Sequence, residues 1–133
     1  SRRGDVPPTL RDAPPGAVLL ATCEQAEGLP AARLRLGADH VLVCGSHRVD
    51  TVRLRAALVE RGHRQLLAEG GPHLLRELLA ADVVDALTTT LVPRLLAGDH
   101  PRITAGPPVD VPLDLRLLLE SDGTLLARWF VSR

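Results

Sequence analysis

Apolar runs separated by polar, glycine-bounded stretches set the rhythm of the first half of this chain. Ala17-Val18-Leu19-Leu20-Ala21-Thr22 and His40-Val41-Leu42-Val43-Cys44 are continuous rather than alternating. That is the pattern of a strand buried on both faces of a parallel sheet. Gln65 to Glu69 predicts a third such strand. Between the second and third runs, Asp50 is an N-cap candidate for a helix over about Thr51 to Arg61, with Val52, Leu54, Leu58 and Val59 as its apolar positions and Gly62 as its C-cap. Gly28 to Gly37 reads as a short connection with a helical turn after Pro30, and Pro72 opens a helix to about Ala81. Residues 1–16 hold four of the eleven prolines and read as a loop.

After Asp82 the pattern changes. Asp85 to Leu91 predicts a strand with an irregular end over Pro93 to Gly98. Leu113 to Glu120 and Thr124 to Ser132 flank Ser121-Asp122-Gly123, and Asp-Gly between two apolar runs is the strongest short hairpin signal. Three βα-type units followed by a hairpin predict an α/β fold: a mixed, mainly parallel sheet with an antiparallel C-terminal hairpin. The chain shows no internal repeat and no dividing linker.

Composition removes several function classes. At 133 residues with 45% hydrophobic content, one domain can bury a core. Sixteen basic residues balance sixteen acidic ones, and Trp129 and Phe130 are the only aromatics. With neither excess positive charge nor stacking rings, nucleic-acid binding has no support. No apolar run approaches the length of a membrane span, and no signal-peptide pattern is visible. Two cysteines, Cys23 and Cys44, make no disulfide framework, so a reducing, cytoplasmic setting is expected. Arginine is the only basic residue besides histidine; the absence of lysine, asparagine, tyrosine and methionine fits the codon bias of a GC-rich genome.

Leu67-Ala68-Glu69-Gly70-Gly71-Pro72-His73-Leu74-Leu75 carries the candidate chemistry. A carboxylate ends the expected strand, two glycines make the turn, and proline takes the first helical position, where its lost N–H costs nothing. Glycines there let another group approach the backbone, and a helix N-terminus offers free amides and positive dipole charge to an anion such as a phosphate. The alternative is a plain strand-to-helix turn with glycines for tight packing. Elsewhere, His40, Cys44 and His47 suggest a metal, but His40 and Cys44 would lie about 13 Å apart along one strand, too far to share an ion. Cys23 and Cys44 end consecutive strands. Thr22-Cys23-Glu24 and Cys44-Gly45-Ser46-His47 would therefore line the carboxyl edge of the sheet, either touching an adenosine or serving packing and capping.

The ordered set Leu67-Ala68-Glu69-Gly70-Gly71-Pro72-His73-Leu74, Leu78-Leu79-Ala80, Val84-Asp85 and Val92-Pro93-Arg94-Leu95-Leu96-Ala97-Gly98 resembles the C-terminal reductase domain of the riboflavin-biosynthesis deaminase-reductases, a dihydrofolate reductase-like fold. That family's run has the form V-E-G-G-P-x-L, a helix, V-D-E-L, then a strand ending A-P-x-[LI]-[LIF]-G-G. Ala97 stands where many members have glycine, and His73 where they have Thr or Ser. The resemblance implies an NADPH-dependent reductase acting on the ribosyl group of a phosphoribosylamino-pyrimidine. It implies that Glu69 touches the substrate and that Gly70, Gly71 and the helix start (Pro72, His73, Leu74, Leu75, Arg76 and Glu77) hold the cofactor's pyrophosphate. Ser1 and Arg2, with Arg3, would sit near the 2′-phosphate of NADPH, where an arginine fork suits the role; the alternative is a solvated chain end.

Members also begin with a lysine-bearing strand and an S-x-D-G-[RK] segment, followed by a G-x-x-T loop. Ser121-Asp122-Gly123-Thr124 imitates part of this but sits in a hairpin turn. Residues 1–133 are therefore expected to be the C-terminal two-thirds of one reductase domain, active only with the preceding segment, supplied on the same polypeptide or as a separate fragment. A homodimer through the closing hairpin and Trp129-Phe130 is expected as well. The rivals are a pterin reductase on the same fold and a non-catalytic dimerisation or ligand-sensing remnant.

Overall fold

A computed structural model describes residues 1–10, 13–14 and 16–133. The loop expected over 1–16 thus contains three positions, Arg11, Asp12 and Pro15, outside the described residues. The chain divides into two compact units, Ser1–Leu66 and Leu67–Arg133.

In the first unit, β1 (Leu20–Thr22) and β2 (Val41–Val43) pair in parallel with Leu20 opposite Val41 and Thr22 opposite Val43. Both strands are shorter than the apolar runs that predict them. Between them α1 (Leu29–Leu36) forms a full helix where only a turn was expected, with proline near its start and Gly37 at its end. A core of Leu20, Ala32 and Val41, joined by Val6, Leu29, Leu36 and Val43, fastens the helix to one face of the strands. α2 (Thr51–Glu60) begins as expected, with the Asp50 carboxylate accepting from the amides of Val52 at 2.9 Å and Arg53 at 3.0 Å. That cap satisfies two of the helix's orphan donors.

In the second unit, α3 (Pro72–Ala80) precedes a three-stranded antiparallel sheet of order β3-β5-β4, built from β3 (Ala86–Leu91), β4 (Leu113–Ser121) and β5 (Thr124–Val131). The hairpin turn holds Asp122 at φ 50° and Gly123 at φ 75°, the left-handed pair that a tight two-residue hairpin demands. A bulge between Leu115 and Leu117 interrupts the β4–β5 ladder. Trp129 donates its indole N–H to the Thr89 hydroxyl at 2.9 Å. Phe130 lies under the guanidinium groups of Arg116 and Arg128, 5.7 and 5.2 Å from its ring centre.

The α/β class holds, with both parallel and antiparallel pairing. One expected element does not form. Residues 65–69 join no sheet, and every position from 61 to 70 is exposed. A strand exists by hydrogen bonding to a neighbour, and among the described residues none is offered to this run. No helix of the described residues is long and apolar enough to cross a membrane.

Candidate functional site

The Glu-Gly-Gly-Pro turn opens the second unit. Gly71 caps α3 with extended backbone, φ −72° and ψ 176°, and no side chain caps the amides of the first turn. A Cβ placed on Gly71 would meet nothing within 4 Å. Gly70 differs: a Cβ there would stand 2.3 Å from Leu74 Cδ2 and 3.0 Å from Leu74 Cβ. One glycine therefore makes room for Leu74, and the other leaves open space over a helix N-terminus. Such a terminus presents N–H groups and positive dipole charge to an anion, so the open face at Gly71 fits a cofactor pyrophosphate. Glu69 is exposed beside it.

The rest of the helix start is divided between open and occupied positions. His73 and Leu74 are exposed, whereas Leu75 is half-buried. Arg76 donates through Nε to the Pro107 carbonyl at 3.0 Å and through Nη1 to Glu77 Oε1 at 3.0 Å. The Ala105 amide reaches the Pro72 carbonyl at 3.2 Å. A Cβ on Gly106 would lie 3.5 Å from Arg76 Cδ and 3.8 Å from His73 Nδ1. The segment 105–107 thus lies along α3, and Arg76 and Glu77 serve as its clasp. Sequence reasoning missed this segment, although its Gly106-Pro107-Pro108 cluster marks a turn.

Ser1 and Arg2 belong to the first unit. The Ser1 nitrogen donates to the Ala21 carbonyl at 2.5 Å, the Cys23 thiol to the Arg2 carbonyl at 3.6 Å, and the Gly28 amide to the Arg3 carbonyl at 2.9 Å. A Cβ on Gly28 would come 2.9 Å from both Arg3 O and Gly4 C, so glycine is required for this close approach. The backbone of residues 1–4 is tied to the end of β1, while the Arg2 and Arg3 side chains remain exposed.

At the same carboxyl edge, the amides of Glu24 and Gln25 are taken by the carbonyls of Gly45 at 2.9 Å and Ser46 at 3.0 Å. They are spent on joining two loops. Cys23 and Cys44 are buried free thiols. Burial pushes the Cys44 thiol above its ordinary value; Asp50 adds to the rise and Arg53 opposes it. An unionised thiol is a poor ligand and nucleophile. No group of three or more metal-ligating side chains gathers among the described residues.

The chain matches the RibD C-terminal domain over residues 1–124. No curated protein matches it. Among solved structures, a pyrimidine reductase-like protein from Corynebacterium diphtheriae is similar at TM-score 0.81 and 22% identity, covering 100% of this chain and 59% of that one. Acinetobacter baumannii RibD is similar at TM-score 0.67 and 18% identity, covering 98% of this chain and 36% of that one. This chain therefore spans less than two-thirds of either relative. At these identities the likeness shows the fold, in agreement with the arrangement expected from the sequence.

Proposed function

This chain belongs to the RibD C-terminal domain family, and from that premise we propose that it is the greater part of an NADPH-dependent pyrimidine reductase of riboflavin biosynthesis. The observation that carries this reading is the open, uncapped helix start at Gly71, next to Glu69 in the family's own turn. In this reading the amides of His73 and Leu74 bind the cofactor's pyrophosphate, and Gly71 keeps the approach clear. Arg2 and Arg3, side chains free and backbone held at the carboxyl edge of β1, pair with the 2′-phosphate. NADPH, when held there, would supply the hydride that reduces the ribosyl carbon of a phosphoribosylamino-pyrimidine. Glu69 orients that substrate by accepting from its hydroxyl groups. Positioning is the protein's main contribution to such chemistry.

In this reading turnover depends on the family's lysine-bearing strand, and these 133 residues hold no lysine. The exposed Leu66 and Leu67, 51% and 81% accessible, lie in a run with strand character and no strand partner among the described residues. In this reading that run is the edge on which such a strand would pair. The test is NADPH oxidation with a ribosylamino-pyrimidine by these residues alone and by the complete encoded protein. Activity only in the longer form is expected. Failure of the complete protein to bind NADPH refutes the reading, and full activity of residues 1–133 refutes the need for a partner segment.

A second reading concerns assembly, and here the observation is β4. It is an edge strand with Leu115, Leu117, Leu118 and Leu119 each about half exposed. Unblocked apolar edges pair with other chains, and we propose that two copies pair through it. Phe130, on the neighbouring strand β5, remains 39% exposed with Arg116 and Arg128 over its ring.

A further inference from the structure

We propose that the first unit carries a second ligand site, for an organic anion with an apolar body, at the edge of its sheet opposite Cys23 and Cys44. An open-mouthed cavity of about 540 Å³ lies there, within the size range of small-molecule sites. His40, Arg61 and His63 supply its nitrogen donors, and Leu19, Leu58 and Leu66 its apolar wall. Leu19 and His40 directly precede β1 and β2, so the cavity opens at the amino edge of the strands. The ends of Ser1, Arg2 and Gly45 gather at the other edge.

The charge pattern singles this cavity out. The chain as a whole is neutral, with sixteen residues of each sign, yet among the described residues the lining holds an arginine and two histidines and no carboxylate. Cations at the C-terminal end of α2 are expected from the helix dipole alone, which accounts for Arg61 and His63. It does not account for His40, which comes from a different element, or for the leucine wall. Arg61 is held in place by donating Nη1 to the Asp39 carbonyl at 2.6 Å. A guanidinium has five N–H donors, so most remain for a ligand. The His40 ring is bracketed by two glycines; a Cβ on Gly16 would lie 3.5 Å from Nε2, and one on Gly37 3.6 Å from Nδ1. Neither turn puts a side chain over the ring nitrogens. A smaller cavity of about 170 Å³ adjoins His40, and its other charged lining residue is Arg35.

A phosphate or carboxylate head would pair with Arg61 and the imidazoles, while a short aliphatic or cyclic body covers the three leucines. This site would stand if the reductase reading failed; a strand seated on residues 65–69 would cover Leu66, so the binding is read on residues 1–133 alone. Hexyl phosphate, hexanoate and inorganic phosphate, titrated calorimetrically into the wild-type chain, test it. Saturable binding of hexyl phosphate or hexanoate is expected, at least about fivefold tighter than inorganic phosphate, and the tighter of the two names the head group. Arg61→Gln and His63→Gln should each weaken it at least fivefold, while Arg116→Gln, on β4, leaves it unchanged. No saturation by about 5 mM, equal binding of inorganic phosphate, or indifference to both cavity substitutions overturns the proposal.

Discussion

Gly71→Val separates the cofactor seat from the fold more cleanly than any other change in this chain. Gly71 has φ −72° and ψ 176°, extended backbone that valine adopts without strain, and a Cβ meets nothing within 4 Å. The structural cost is confined to a poorer N-cap, about 1 kcal/mol at most. The added methyl groups would fill the open space beside the helix start, through which a ligand reaches the uncapped amides of His73 and Leu74. A hydrogen bond to a charged group contributes about 1.5–3 kcal/mol, so losing even one weakens NADPH binding at least about tenfold, roughly 1.4 kcal/mol. Gly70→Ala is the contrasting perturbation. Its Cβ would fall 2.3 Å from Leu74 Cδ2. Leu74 is 46% exposed and can swing outward, so overpacking costs about 1 kcal/mol, the low end of its range. The assay is NADPH titration of each folded variant beside urea unfolding. Gly71→Val should lose affinity and no more than about 1 kcal/mol of stability; a wild-type dissociation constant for Gly71→Val refutes the assignment of the pyrophosphate to this turn.

Three further outcomes follow from the same structure. Thr22 is fully buried and its hydroxyl has no hydrogen-bond partner among the described residues, so the near-isosteric Thr22→Val should stabilise the chain by about 1 kcal/mol; a lower urea midpoint contradicts this. Cys44 has a raised pKa from burial, so its stabilisation is intact below the ordinary thiol value of 9.0 and falls as pH rises beyond it, because the unfolded thiol ionises first. Stability measured from pH 7 to 10 should decline above about 9, and rapid labelling of both thiols in the folded protein at pH 8 would contradict the burial. Light scattering should show a homodimer, and Leu117→Glu with Leu119→Glu should yield monomers; a wild-type monomer at roughly 50 µM removes the β4 interface.

Features carried by adjacent residues were legible in the sequence. The Asp50 cap needs only the amides two and three residues on, and the Asp122-Gly123 turn needs only its own dihedrals, so both form where the pattern places them. The run from Gln65 to Glu69 has strand composition, but composition cannot report whether another strand comes to pair with it. The anchoring of Ser1 to Gly4 was illegible for a different reason: the Ala21, Arg2 and Arg3 carbonyls and the Gly28 amide do it, and backbone groups are the same in every sequence.

The candidate site shows the same division at closer range. Gly70 and Gly71 carry equal weight as letters, and the sequence-level argument assigned both to the phosphate. In the structure a Cβ on Gly70 would meet Leu74, whereas one on Gly71 would meet nothing within 4 Å. Arg76 and Glu77 sit one turn along the same helix; Arg76 is engaged by the Pro107 carbonyl, from a segment some thirty residues away that returns along α3, and Glu77 by Arg76. The helix start can therefore be read as an anion seat from sequence, because dipole and free amides are local properties of a helix end. Which side chains remain available to that anion is a tertiary property. It divides the predicted run into an open part, Gly71 to Leu74, and a part already engaged in holding the fold, Arg76 and Glu77.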